Sequence, residues 1–258
     1  RYGDAGPGFV YVERPWDWYA RAGLRLRVRG AWGFNNLIFN KLADSRYGLG
    51  GVNFFAHEGG GRTSLSLRDP RPDGYSFVEL YYLEQPGGGG LNLVVNDRTW
   101  TIGEEDPKPT KTMAAFKAVV LDEPLRDVSL ETRSWRPARV FGLVLETDRR
   151  GVVWDSIGLV GARALHLLNF DATHLKGQLR RRNPALIVLQ YGLNEAQAER
   201  SPGKRFRKKQ REVLAALREA APDAACLVIG PYDNGVFEEG RLRSKPIIPK
   251  LIEVQRET

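Results

Sequence analysis

The chain has 258 residues, a formal net charge of +8 and an isoelectric point near 9.7. This length exceeds the usual size of one domain and is sufficient for two modest hydrophobic cores, so we predict two domains. Apolar residues make up 42% and charged residues 27%, which is the composition of an ordinary globular protein. No run of about 18 apolar residues is present, so the sequence predicts no transmembrane helix.

Basic residues are densest between residues 204 and 211, where six lysines and arginines occur. They begin a predicted helix whose apolar face contains Phe206, Val213 and Leu217, so we interpret the charges as its solvated face. No nucleic-acid-binding motif accompanies them, and we predict no nucleic-acid partner.

Up to residue 147 the sequence alternates short strand-like runs with glycine. The predicted strands are Leu24–Val28, Val52–Phe55, Thr63–Leu67, Phe77–Leu83, Leu91–Val95, Phe116–Leu121, Val128–Thr132 and Val140–Glu146. Glycine clusters at residues 59–61 and 87–90 predict hairpin loops. Many short strands with turns between them are typical of a β-sandwich or jelly roll. Residues 1–147 are therefore predicted to form an all-β domain.

The pattern changes after residue 147 to strands that alternate with helices. Predicted strands cover residues 151–154, 186–191 and 225–229, and predicted helices cover residues 162–182, 201–220 and 247–255. Continuous apolar strands between helices indicate a parallel sheet covered on both faces, in which Cys226 is expected to be buried. No closing element follows, so we expect residues 148–258 to form an incomplete α/β domain.

Glycine and asparagine follow the predicted strands, at the edge where α/β proteins bind ligands. Residues 155–163 (DSIGLVGAR) follow the first strand, residues 192–196 (GLNEA) the second and residues 230–235 (GPYDNG) the third. Glycine allows a close approach of the backbone to a ligand, and an asparagine amide can donate to a developing oxyanion. The sequence therefore indicates a candidate site at this edge.

Two of these segments resemble blocks of the SGNH (GDSL-like) hydrolases. Residues 189–196 (LQYGLNEA) are similar to the third block of bacterial peptidoglycan O-acetylesterase relatives, and residues 157–162 (IGLVGA) to the second, with Val160 where those relatives often have asparagine. The resemblance implies a flavodoxin-like three-layer fold. It also implies ester hydrolysis by a serine whose tetrahedral intermediate is held by three donors.

Carried over by position, Gly161 supplies a backbone N–H donor and Asn194 an amide donor, with Gly158 as the alternative glycine. Close packing of strand on helix is the competing role for Gly161, and an Asx turn is the competing role for Asn194. Glu195 is expected to cap the following helix. No cofactor and no metal site is predicted.

The nucleophile and its base are not evident, because neither the Gly-Asp-Ser block that starts the family's domain nor the Asp-x-x-His block that ends it is present. Ser156 follows a predicted strand, but Trp154 stands where the family has glycine. His57, His166 and His174 are interpreted as surface or packing residues. Some relatives carry a β-sandwich resembling a carbohydrate-binding module after the serine block, so the resemblance implies an internal fragment of a longer enzyme.

The resemblance implies a deacetylase of peptidoglycan or another polysaccharide that acts in the periplasm or is secreted, although the chain begins without a signal-peptide pattern. Trp16, Trp18 and Trp32 are the tryptophans most expected to offer exposed rings to sugars. Two alternatives stay open: a noncatalytic carbohydrate-binding or adhesion protein, and a lipase or thioesterase with the same fold. On the esterase hypothesis we predict that the 258 residues alone are inactive.

Overall fold

The computed structural model describes residues 2–17, 19–20, 23–68, 74–103, 108–133, 136–198, 204–232, 235–245 and 247–257. The chain forms two compact units: Arg1–Asn36 with Tyr47–Ile157, and Leu37–Arg46 with Gly158–Thr258. Whereas the sequence places the change of domain after residue 147, the first unit continues to Ile157. The reason is that residues 152–155 contact the start of the chain: Asp4 forms a parallel bridge with Val152, and the Asp155 carboxylate accepts the Phe9 N–H at 2.8 Å.

Residues 37–46 belong to the second unit although they interrupt the sequence of the first. The Asp171 N–H donates to the Ser45 carbonyl at 2.9 Å, and the Asn169 amide donates to the Leu37 carbonyl at 3.2 Å. These hydrogen bonds join segments more than 120 residues apart. No local sequence pattern predicts them.

The described residues of the first unit form nine strands joined through one hydrogen-bonded network. The strands are β1 (Gly8–Val10), β2 (Leu24–Asn36), β3 (Val52–Leu67), β4 (Phe77–Glu84), β5 (Leu91–Val95), β6 (Arg98–Ile102), β7 (Met113–Val120), β8 (Asp127–Thr132) and β9 (Arg139–Glu146). Their order is β6-β5-β8-β3-β9-β4-β7, with β1 beside β9 and β2 beside β3. The pairs are antiparallel, so the prediction of a β-rich first domain is confirmed.

Strand β3 is long because it serves two groups of strands. Its first part pairs with β9 through Phe54 and Phe55, and its second part pairs with β8 through residues 62–66. The prediction that the glycines at 59–61 form a hairpin loop is wrong, since β3 runs through them without a break. Gly30 of β2 lies opposite at φ +78°, and a Cβ there would stand 2.1 Å from the Gly60 carbonyl. Glycine is therefore used for close approach of two strands rather than for a turn.

Strand β5 follows the period of two that a half-buried strand requires, whereas β4 and β9 are buried on both faces. Leu91, Leu93 and Val95 of β5 are buried and alternate with the half-buried Asn92 and Val94. The glycines at 87–90 do form a loop, but β4 and β5 on either side of it are not paired with each other. The sequence missed β1, which has only three residues, and β6, where polar residues and Trp100 obscure the alternation.

The second unit contains a 3-10 helix, four α-helices and four strands within its described residues. They are the 3-10 helix (Ala164–Asn169), α1 (Ala172–Arg182), β10 (Leu186–Gln190), α2 (Leu193–Ala198), α3 (Lys204–Ala220), β11 (Ala225–Ile229), β12 (Gly235–Glu238), β13 (Arg241–Ser244) and α4 (Ile247–Arg256). Strands β10 and β11 are parallel, with α3 between them in sequence, and β12 and β13 form an antiparallel hairpin. The buried cluster contains Ala196, Phe206, Ile248, Leu251 and Val254.

Three details of the second unit differ from the sequence prediction. The strand predicted at residues 151–154 does not form: only Val152 makes a bridge, and Trp154 is 60% exposed. The helix predicted at residues 162–182 is divided because the Asp171 carboxylate caps a new helix by accepting the His174 N–H at 2.7 Å. Cys226 is exposed rather than buried, because the described elements leave β11 largely uncovered: four of its five residues are exposed.

No helix among the described residues combines the length and the apolar character needed to cross a lipid bilayer.

Candidate active site

The segment after β10 is shaped by a glycine that no other residue could replace without strain. Gly192 has φ +129°, and a Cβ at this position would lie 2.6 Å from the Pro231 side chain. Pro231 itself follows β11. The segments that leave the carboxyl ends of the two parallel strands are therefore in contact, as expected for an α/β sheet.

Glu195 joins two segments that the sequence analysis treated separately. Its side chain is buried, with one carboxylate oxygen accepting the Gly192 N–H at 2.9 Å and the other accepting the Ala164 N–H at 2.7 Å. The contact to Gly192 confirms the predicted capping of α2 from the third helical position. The contact to Ala164 was not predicted, and it fixes the start of the 3-10 helix against the end of β10.

Asn194 lies beside Glu195 and faces the same neighbouring segment. Its amide nitrogen donates to the Ala162 carbonyl at 2.8 Å, and the residue is half-buried. An asparagine amide carries two N–H groups. The described residues offer no acceptor to the second one. Asn194 is thus brought next to the segment that contains Gly161, with one donor available.

Gly161 occupies the third position of a tight turn. The Ala162 N–H donates to the Leu159 carbonyl at 3.1 Å, and Gly161 has φ +78°, which is the signature of a type II turn. A Cβ would meet only the Phe39 ring at 3.9 Å, so close packing does not explain this glycine. The Gly161 N–H makes no hydrogen bond within the described residues, and the residue is exposed.

Gly158, the alternative donor, is exposed and has a φ that any residue can adopt. A Cβ at Gly158 would meet no atom within 4 Å. Of these two glycines, only Gly161 has a backbone conformation that requires glycine.

Gly161→Ala is expected to lower stability. Because an L-residue at φ +78° is strained while the space for a methyl group is open, we expect the free energy of unfolding to fall by about 1 kcal/mol. The backbone N–H is retained, so a donor role predicts that activity, once measurable, changes far less than it would for loss of the Asn194 amide. Urea unfolding followed at 222 nm checks the first value, and the expectation fails if stability is unchanged.

Ser156 does not meet the requirements of an activated nucleophile. It is exposed, lies in the first unit and makes no side-chain hydrogen bond within the described residues. More generally, no serine–histidine hydrogen bond occurs in the described part of the chain. The neighbouring Asp155 carboxylate has a structural role on β1.

The histidines of the second unit are both buried packing residues, which confirms one of the two roles expected for them. His166 lies in the 3-10 helix, where its Nδ1 accepts the Arg163 N–H at 3.0 Å, and His174 lies in the first turn of α1. The backbone of His57 lies within β3, and its side chain is outside the described residues. None of the three is placed beside Gly161 and Asn194 by a hydrogen bond in the described part of the chain.

His166 is expected to make the stability of the second unit depend on pH. Burial, and then the charges of Arg163 and Lys41, lower the pKa of His166 below its ordinary 6.5. A folded-state pKa below the unfolded value means that the unfolded chain binds more protons as pH falls below 6.5, so stability is full above that pH and declines below it. We expect an NMR titration midpoint below 6.5 that rises in Lys41→Gln. A midpoint at or above 6.5 in the unmodified protein contradicts this.

Two further residues contribute to the site in a way that sequence reasoning missed. The Gln255 amide of α4 donates to the Tyr191 carbonyl at 3.2 Å, and its oxygen is buried near Gly230. Burial, and then the Glu195 carboxylate, raise the pKa of Tyr191 to about 12, so its phenol stays protonated at neutral pH. Gln255 is more than 60 residues from Tyr191, and no local signal marks it.

Two of the three tryptophans expected to be exposed, Trp16 and Trp32, are partly covered. Trp16 packs edge-on against Tyr11 and Tyr19 at 6.2 and 5.9 Å between ring centroids. Trp32 lies over Gly61, where a Cβ would stand 2.4 Å from the indole. Trp18 and Trp135 lie outside the described residues. The rings of Trp16 and Trp32 thus act in packing rather than as open platforms.

No protein-family model matches the chain, and no curated protein sequence matches it. Its fold is similar to the solved structure of a peptidoglycan O-acetylesterase, with a TM-score of 0.72 and 19% sequence identity over 98% of this chain. The chain covers 66% of that protein, just under two thirds of its length.

Weaker similarities involve two carbohydrate-binding proteins. TmCBM61, solved with β-1,4-galactotriose, gives a TM-score of 0.33 at 15% identity over 46% of this chain and 86% of its own. A carbohydrate-binding module of family 29 gives a TM-score of 0.32 at 12% identity, over 54% of this chain and 87% of the module. TM-scores this low do not establish a common fold.

Proposed function

We propose that the chain forms the larger part of an SGNH-type serine esterase that removes acetyl groups from peptidoglycan or a related polysaccharide. The observation that carries the proposal is the coupling of residues 158–164 to residues 191–195. Asn194 reaches the Ala162 carbonyl, and Glu195 holds both segments by backbone N–H groups. The fold shared with a peptidoglycan O-acetylesterase supports the same assignment.

In this proposal the two free donors act on one oxygen atom. Attack of a serine hydroxyl on the acetyl carbonyl creates a tetrahedral oxyanion, which the Gly161 N–H and the second Asn194 N–H stabilise. Glu195 does not touch the substrate; it keeps the two donors at a fixed separation before the reaction begins. Collapse releases the sugar hydroxyl, and water then releases acetate from the serine.

The serine and its base are assigned to sequence outside residues 1–258, because no serine–histidine pair is hydrogen-bonded in the described part of this chain. In the same proposal, residues 1–147 form a β-sandwich that binds carbohydrate, and residues 148–258 form the incomplete flavodoxin-like hydrolase domain. A cell-wall substrate implies that the enzyme acts in the periplasm or outside the cell.

The experiment compares two forms of the protein. The 258-residue chain is expected to show no turnover of p-nitrophenyl acetate. The same chain with its native flanking sequence is expected to release acetate from O-acetylated peptidoglycan and to be labelled by a fluorophosphonate, which reacts with activated serines.

Each remaining outcome identifies an alternative. Activity of the 258-residue chain that is abolished by Ser156→Ala would place the nucleophile in this chain. Absence of both label and turnover in the longer protein would favour a noncatalytic carbohydrate-binding protein. Turnover of long-chain acyl esters or thioesters, without release of acetate from the glycan, would favour a lipase or thioesterase.

A further inference from the structure

One solvent-facing surface of the first unit is defined by the register of five adjacent strands, β2, β3, β8, β5 and β6. Residues directly opposite each other in paired strands project from the same face. Arg27 lies opposite Ser64, Ser64 opposite Ser129, and Ser129 opposite Val94. The alternate residues of these strands, such as Leu65, Leu93 and Leu130, are buried in the core. We call this outward surface the arginine–serine face.

Arginines form one side of the arginine–serine face. Arg25, Arg27 and Arg29 occupy alternate positions of β2, all three are exposed, and they follow one another at roughly 6.8 Å along the strand. Within the described residues none of them has an ion pair or a side-chain hydrogen bond. Each guanidinium therefore has no hydrogen-bond donor engaged by a described residue.

The row of arginines on β2 also destabilises the sheet, so stability alone does not account for it. Arg29 stands directly opposite Arg62, and like charges in this position destabilise a sheet. Arg62 has a partner in Glu131 at 3.0 Å, but Arg29 has none among the described residues. Uncompensated charge of one sign along a single strand is a local conflict of the kind expected at a functional surface.

The floor beside the arginine row is made of small polar residues. Ser64 and Ser66 of β3 are half-buried and Ser129 of β8 is buried, so the serines lie low between the exposed arginines of β2 and the residues of β5 and β6. On the far side, the Asn92 oxygen accepts the Thr101 hydroxyl at 3.3 Å, so the Asn92 amide hydrogens face outward without a described acceptor. The face thus combines guanidinium, hydroxyl and amide groups.

We propose that the arginine–serine face binds a carboxylate-bearing polysaccharide. Guanidinium groups bind carboxylates through two parallel hydrogen bonds, and serine and asparagine can exchange hydrogen bonds with sugar hydroxyls. Asp127 and Glu131 on the same face can accept from hydroxyls. This inference rests on the proposed carbohydrate-binding role of the first unit and not on the ester chemistry, which concerns the second unit.

The charge distribution favours an acidic glycan over a nucleic acid. The first unit has 19 basic and 19 acidic residues, whereas the second has 20 and 12 and so carries the whole net charge of +8. A phosphodiester chain is held mainly by excess positive charge and by aromatic stacking. The arginine–serine face has two carboxylates and no aromatic ring among the residues of its strands that face outward.

The test measures binding of the 258-residue chain to polygalacturonate by calorimetry at about 0.1 M salt. The variant replaces Arg25, Arg27 and Arg29 with glutamine. The matched control replaces Lys204, Arg205 and Lys208 of α3 with glutamine, which removes the same charge from the second unit. We expect at least about tenfold weaker binding for the β2 variant and less than about twofold for the control.

Two further comparisons keep the result specific. Fully methyl-esterified polygalacturonate should bind at least about tenfold more weakly than the free acid, because the carboxylates are lost. Ser64→Gln should also weaken binding without any change of charge, since a longer side chain obstructs the floor.

Three results would overturn the proposal. The first is equal loss in the β2 and α3 variants, which would mean nonspecific attraction. The second is tighter binding of single-stranded DNA than of polygalacturonate. The third is that the unmodified chain does not bind polygalacturonate, or that the β2 variant binds it unchanged. If the β2 variant then aggregates, the arginines only protect an edge strand.

Discussion

Replacing Asn194 by alanine is expected to lower turnover of the acetyl ester by roughly 10² to 10³, equivalent to about 3 to 4 kcal/mol of transition-state stabilisation. The amide is fixed by its 2.8 Å hydrogen bond to the Ala162 carbonyl, which directs the second N–H away from that bond. A donor that is fixed in advance stabilises the developing negative charge without reorganisation. The loss should appear in kcat rather than in KM, because the charge exists only in the transition state.

The measurement uses the protein with its native flanking sequence and O-acetylated glycan as substrate. Asn169→Ala is the matched control, since Asn169 lies in the same unit and also donates its amide to a backbone carbonyl, that of Leu37 at 3.2 Å. This control should retain turnover within about twofold, as expected for a residue outside the reaction. Asn194→Asp should be at least as impaired as the alanine variant, because a carboxylate cannot donate and repels the oxyanion. Full activity of Asn194→Ala would remove the oxyanion role.

Replacing Glu195 by alanine is expected to lower the free energy of unfolding of the second unit by about 2 to 5 kcal/mol. The carboxylate is 1% exposed and accepts the N–H groups of Gly192 and Ala164, and both would lose their acceptor in a buried place. Glu195→Gln keeps one acceptor oxygen and turns an amide N–H₂ toward the other donor, so we expect an intermediate loss.

The two units provide separate signals for this measurement. All described helices lie in the second unit, and all six tryptophans lie at or before residue 157. Circular dichroism at 222 nm therefore follows the second unit, and tryptophan fluorescence follows the first. Glu212→Gln is the control, because Glu212 pairs with Lys209 on the exposed side of α3 and should change the transition little. An unchanged unfolding transition at 222 nm in Glu195→Ala would refute the role of Glu195 in joining Gly192 to Ala164.

Most strands and the candidate site can be predicted from the sequence because these features are local. Alternation of period two marks β5, and continuous apolar runs mark β9, β10 and β11. The segments with Gly161 and Asn194 were found through their place after predicted strands and their resemblance to two family blocks. The type II turn at Gly161 uses the same local chemistry of glycine.

Local patterns also misled where a residue type has more than one use. Glycines 59–61 have the composition of a loop, yet they lie within β3, where Gly61 leaves room for the Trp32 ring and the Gly60 carbonyl approaches Gly30 of β2. Cys226 lies in an apolar run but is exposed, since burial depends on which elements cover a strand and not on the strand itself.

The sequence by itself determined which segments become strands and helices, and which residues stand at the strand ends, because these depend on neighbours in the chain. Only the tertiary structure decided that Glu195 joins Gly192 to Ala164, that Asn194 meets Ala162, and that Gln255 reaches Tyr191. It also decided that three exposed arginines of β2 stand in register with the serines of β3 and β8. These contacts depend on strand register and on the meeting of distant segments, which no local periodicity encodes.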